Sequence, residues 1–116
     1  MTQHNASLLS TDDDTPWYAL RLLNRSMKYV TLYLDEQKLT YFVPKHYRER
    51  IDSEGKKHRE LVPVVANLVF LKKTKDEKEL TEIISQCKYP VYFLRKQRFA
   101  PHPCEIPSSE MKELIY

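Results

Sequence analysis

The chain has 116 residues, 41% of them hydrophobic and 30% charged, with 19 basic against 16 acidic side chains for a formal net charge of +3. That length supports one domain burying roughly two-thirds of its unfolded surface, and no run reaches the ~18 apolar residues of a membrane span. The single glycine, Gly55, excludes a P-loop or dinucleotide fingerprint, and Cys87 and Cys104 are too few for a secreted disulfide framework. With no basic-then-apolar leader, a soluble cytoplasmic protein is expected.

Residues 1–16, polar and carrying Asp12–Asp13–Asp14, are expected to form a disordered tail that ends at Pro16. Trp17 to Leu23 is aromatic and apolar and predicts a strand. Met27, Val30 and Leu34 at i, i+3 and i+7 predict an amphipathic helix ending near Lys38, with Tyr29 and Tyr33 one turn apart on its flank. Leu39 to Pro44 alternates, with Leu39, Tyr41 and Val43 facing one way, as a strand at an edge would.

Lys45 to Glu60 mixes six cations with four carboxylates around Ser53–Glu54–Gly55, which predicts an exposed hairpin too polar to join a core. Leu61 to Leu71 is nearly all apolar and valine-rich, predicting one buried strand. Asp76 with Glu79 three residues on is a capping-box-like helix start, followed by Leu80, Ile83, Ile84 and Cys87 on one stripe. Pro90 halts that helix, Val91 to Arg95 predicts a fourth strand, and Ser108 caps a last helix with Met111, Leu114 and Ile115 inward. The order β-α-β-β-α-β-α is an α+β split βαβ plan: a four-stranded, mainly antiparallel sheet with helices on one face, ferredoxin-like.

No nucleophile elbow or H-E-x-x-H spacing is present, so neither catalysis nor a cofactor is expected. His102–Pro103–Cys104 offers one short ligand pair, with His46 or His58 as further ligands, but a rigid proline turn explains it better than zinc. A split βαβ sheet is also the plan of a single-stranded RNA-binding module, with Tyr18 and Tyr92 as stacking candidates. The third strand, however, lacks the glycine and paired aromatics of that module. A protein-binding sheet fits better, with Val65, Leu68 and Phe93 forming an exposed apolar patch; helices covering both faces would remove it. Arg25 and Lys28 at the first helix, and Lys88, Arg95, Lys96 and Arg98 near the fourth strand, suit phosphate contact, whereas a solvated face suits the charge-mixed hairpin.

Trp17–Tyr18–Ala19–Leu20, the helix leading to Leu39, and Tyr41–Phe42–Val43–Pro44 resemble the opening of NusG-type N-terminal domains. Val62 to Leu71 resembles that family's third strand, and Pro103 with Ile106–Pro107–Ser108–Ser109–Glu110–Met111 resembles its closing turn and helix. Asn67, where the general factor commonly has glycine, is more similar to specialised paralogues, the UpxY-type and RfaH-like antiterminators. The NusG-like domain is assigned to residues 17–116, with no KOW domain among them.

The resemblance implies a non-enzymatic elongation and antitermination factor. Such a factor binds the β′ clamp helices of bacterial RNA polymerase, bridges to the β subunit and suppresses pausing and termination, here at a polysaccharide-type operon. Carried over by position, Arg21, Val65, Ala66, Leu68 and Phe93 form the polymerase-binding surface, with Arg21 standing where RfaH has an aromatic. Glu79, Leu80 and Thr81 correspond to the second polymerase contact, and Asn24, Arg25, Lys28 and Tyr29 to the surface touching the non-template DNA strand. No membrane or small-molecule substrate is implied.

Overall fold

The computed structural model describes residues 14–23, 26–64, 67–97 and 99–115, the side chain of Leu114 excepted; the expected tail falls outside them up to residue 13. At its centre lies β1 (Trp17–Leu22), bonded along one edge to β5 (Leu68–Lys72) and along the other to β6 (Val91–Phe93) and β7 (Glu105–Ile106). β2 (Tyr41–Phe42) completes this five-stranded sheet beyond β5, and every pairing in it is antiparallel. β3 (Lys45–Ile51) and β4 (Lys57–Pro63) form a separate two-stranded sheet. The α+β split plan is therefore observed, with β7 added where the proline-rich turn returns to the start of β1.

Strand alternation sorts β1 onto two faces. Tyr18, Leu20 and Leu22 pack with Val30 and Leu34 of α1 (Met27–Glu36) and with Leu80 and Ile84 of α2 (Glu77–Ser85). Trp17 and Ala19 turn the other way and meet Phe70 and Met111, the latter from α3 (Ser108–Ile115). Helices thus cover both faces, not one as expected, although α3 is only eight residues long and leaves part of its face open. Each fully buried Leu, Val or Met on these faces contributes about 1.5–3 kcal/mol of transfer free energy.

Local chemistry sets the helix ends. Asp76 Oδ1 accepts the Glu79 N–H at 2.8 Å, capping α2 as its sequence predicts. α1 closes differently: Lys38 N–H donates to Asp35 O and Leu39 N–H to Leu34 O, both at 3.0 Å, around Lys38 at φ +57°. That is the Schellman arrangement with lysine where glycine is usual. The Tyr33 hydroxyl donates to Ile83 O at 2.6 Å, tying α1 to α2, and burial raises its pKa. Burial, and after it the Asp35 carboxylate, likewise pushes the Tyr41 phenol well above its ordinary value.

The long apolar run departs most from expectation. Instead of one strand over Leu61–Leu71, Leu61 to Pro63 finishes β4 and the sheet strand begins only at Leu68. Pro63 has no N–H to continue a ladder, while Val64 N–H donates to Pro44 O at 2.8 Å and Asn67 O accepts from Leu22 N at 2.9 Å. The chain therefore changes sheets between those two bonds. The fourth strand is also shorter than predicted, since Leu94 N–H donates to Ala19 O and Cys104 N–H to Leu94 O, feeding the turn into β7.

Candidate functional site

The register builds one exposed row on the α3-side face. Arg21 stands opposite Leu68 on β5 and opposite Tyr92 on β6, so the three side chains lie side by side across three strands. In the next row towards α3, Ala19 faces Phe70, which is buried, and Phe42 extends it on β2. Met111 and Ile115 pack against that inner part of the face, while Arg21 is exposed, Leu68 half-buried and Tyr92 44% exposed. The result is an aliphatic, a cation and an aromatic in line at the border of the α3 cover.

Two expected members of the polymerase-binding surface, Val65 and Ala66, lie outside the described residues. Phe93 does not belong to the exposed patch. It points to the opposite face, is only 7% exposed, and sits edge-to-face with Tyr18 at 5.2 Å between centroids. Opposite Leu20 in the register, it shares that residue's core-facing direction, and docking through it would require opening the α2 side of the core. Tyr18, a stacking candidate for single-stranded RNA, is fully buried in the same cluster. Desolvation raises its pKa, and its hydroxyl lies 3.4 Å from Glu105 Oε2, the same oxygen that accepts from Lys73 Nζ at 2.9 Å.

The second expected contact splits by helix face. Glu79 and Thr81 are exposed, but Leu80 is fully buried and cannot be part of a surface. Thr81, Ile84 and Ser85 form one wall of an open groove of about 460 Å³, and Val91, Tyr92 and Arg95 belong to the other. The groove thus links α2 to the Tyr92 end of the exposed row. Because Leu94 N–H and Pro90 O bond to β1, alternation turns the backbone groups of Val91 and Phe93 outward along this edge.

Of the expected nucleic-acid surface, Asn24 and Arg25 lie outside the described residues, while Lys28 and Tyr29 are exposed on α1. Tyr29 stacks on Tyr89 with ring centroids 4.9 Å apart and planes 17° apart. Tyr89 had no signal in the sequence beyond its place beside Lys88, because the partners are sixty residues apart. Two of the histidines are engaged elsewhere: His102 Nδ1 lies 2.7 Å from Glu77 Oε2, and His58 Nε2 2.7 Å from Asp52 Oδ2. Among the described residues no three His, Cys, Asp or Glu side chains gather as metal ligands, and no helix is long and apolar enough to cross a membrane.

A comparison with curated protein sequences returns no match. The family model described as transcription termination factor nusG matches residues 15–115, which spans every strand and helix of the fold. A sheet with a split βαβ order, a closing helix on its second face and a match over this whole length show that the chain belongs to the NusG family of transcription factors.

Proposed function

We propose that this domain is an elongation and antitermination factor that docks the β′ clamp helices of bacterial RNA polymerase on the Leu68–Arg21–Tyr92 row. The observation that carries the reading is that row: two large side chains around a guanidinium on a rigid sheet, left uncovered beside a packed helix. Helix-on-sheet docking needs such a surface, with apolar area for affinity and a cation to select an acidic partner face. Thr81, across the groove from Tyr92, and Glu79, exposed two residues before it on α2, supply the second contact, which in this reading is to the β subunit.

The activity is a population shift, not chemistry. A domain that binds one clamp conformation better than another by about 1.4 kcal/mol changes their ratio tenfold. The stacked Tyr29–Tyr89 pair beside Lys28 offers an aromatic and cationic surface for the exposed non-template strand, since bases stack on aromatic faces with little sequence demand. Asn67 and the resemblance to UpxY-type and RfaH-like proteins support a specialised, cytoplasmic factor for a polysaccharide-type operon. A single-round transcription assay with bacterial core polymerase tests the reading. The chain should shorten pause lifetimes and raise read-through at terminators, and Leu68→Asp should erase both effects; an equal effect from the variant would refute the docking row.

A further inference from the structure

β6 is an edge of the main sheet whose outer side no strand covers among the described residues. Inward it pairs with β1: Val91 with Leu22, Tyr92 with Arg21, and Phe93 with Leu20. Leu23 N–H donates to Pro90 O at 3.3 Å and Leu94 N–H to Ala19 O at 2.8 Å, so Pro90, Tyr92 and Leu94 are the residues bonded towards β1. Val91 and Phe93 therefore each direct an N–H and a C=O away from the sheet.

The other edges are guarded. β3 and β4 carry charges of both signs, β7 has Glu105, and β2 is two residues long and soon meets Pro44. β6, Val91–Tyr92–Phe93, holds no charge. The open groove of about 460 Å³ reaches it, which gives a second strand room to approach. On the far wall the Thr81 and Ser85 hydroxyls donate to Glu77 O and Glu82 O, both at 2.7 Å, so covering them strands no donor.

We propose that β6 pairs antiparallel with β6 of a second copy of this chain about a twofold axis. The edge is complementary to itself. With Tyr92 on the axis, Val91 of each copy stands opposite Phe93 of the other, and these pairs exchange every outward N–H and C=O in four bonds. That register opposes no like charges within β6. The two Tyr92 rings, each 44% exposed in the single chain, meet as a close pair that exchanges no backbone bonds. Three residues a side make a small contact, so the dimer is transient and forms at high concentration. It covers the groove between Thr81 and Tyr92, so a chain engaged there by another protein is released from its copy. The backbone pairing itself does not rest on the clamp-helix reading.

The test is sedimentation equilibrium of the 116-residue chain from about 10 µM to about 1 mM, with amide exchange followed residue by residue at both ends of that range. The average mass should rise towards that of two chains. The Val91 and Phe93 amides should slow about threefold or more with concentration, whereas the Tyr92 amide, directed at β1, should not change. Tyr92→Lys sets two ammonium groups across the axis and should weaken association about tenfold or more. Val91→Pro removes two of the four bonds and should do the same. Circular dichroism should show both variants folded, since Tyr92 is exposed and the Val91 N–H makes no bond to β1. A single-chain mass up to about 1 mM would overturn the proposal. So would a dimer whose Val91 and Phe93 amides exchange as fast as in the dilute chain, or one that folded Tyr92→Lys leaves intact. Val91 and Phe93 amides already protected in the dilute monomer would overturn it too, by placing another segment of the same chain on the edge.

Discussion

Phe93→Ala discriminates sharply between a core and a surface role for the fourth strand of the sheet. Phe93 is 7% exposed, packs in the cluster with Leu20, Leu80 and Ile84, and meets Tyr18 edge-to-face at 5.2 Å. Truncating a buried phenylalanine costs about 3–5 kcal/mol, of which the aromatic pair accounts for about 0.5–1.5. Against a total stability of about 5–15 kcal/mol for a domain, that is a fifth or more of the folding free energy. At about 4 °C per kcal/mol for a chain of this size, the midpoint should fall by roughly 12–20 °C. Thermal unfolding followed by far-ultraviolet circular dichroism reads this directly. A fall of less than about 4 °C, roughly 1 kcal/mol on the same scale, would refute the burial and return Phe93 to the surface.

Lys38→Gly should stabilise the domain by roughly 1 kcal/mol, because Lys38 holds φ +57° at the α1 Schellman turn at a cost glycine does not bear; chemical denaturation measures it. Asp76→Ala should lose about 1 kcal/mol through the α2 cap, and Asp76→Asn should keep most of it. Acidification should loosen the hairpin before the core. Asp52, lowered chiefly by His58, and Glu60, lowered chiefly by Arg48, favour the fold above their ordinary values near 3.8 and 4.5. That contribution fades as pH falls through their depressed folded-state values, so amide exchange across β3–β4 should rise below about pH 4 while β1 and β5 stay protected.

The elements most legible in the sequence rest on local chemistry. Asp76 capping α2, Gly55 at φ +82° in the hairpin turn and the Val30–Leu34 stripe each depend on residues a few positions apart. What escaped depends on register. Leu61 to Leu71 is nearly all apolar, so its hydrophobic pattern does not mark Pro63 and Val64 as the point where the chain leaves one sheet for another. Phe93 and Tyr92 are both aromatic, and only the pairing of β6 with β1 decides which faces α2 and which faces solvent. β7 is two residues long and has no periodicity to read. Within the candidate site, the resemblance marks Arg21 and Leu68 as surface residues and the sheet plan makes Tyr92 a stacking candidate, whereas no local pattern marks Tyr89, whose partner Tyr29 is sixty residues away.

The most direct measurement is a titration of this chain, wild type and Leu68→Asp, against an isolated β′ clamp-helix fragment at two salt concentrations. Leu68 is half-buried at the border of the α3 cover, so the variant should keep its circular dichroism spectrum and unfold within a few degrees of wild type. Docking on the Leu68–Arg21–Tyr92 row requires wild-type binding that survives the higher salt and falls at least tenfold in the variant. Equal affinities for the two proteins, or no binding by a folded wild-type sample, would contradict it.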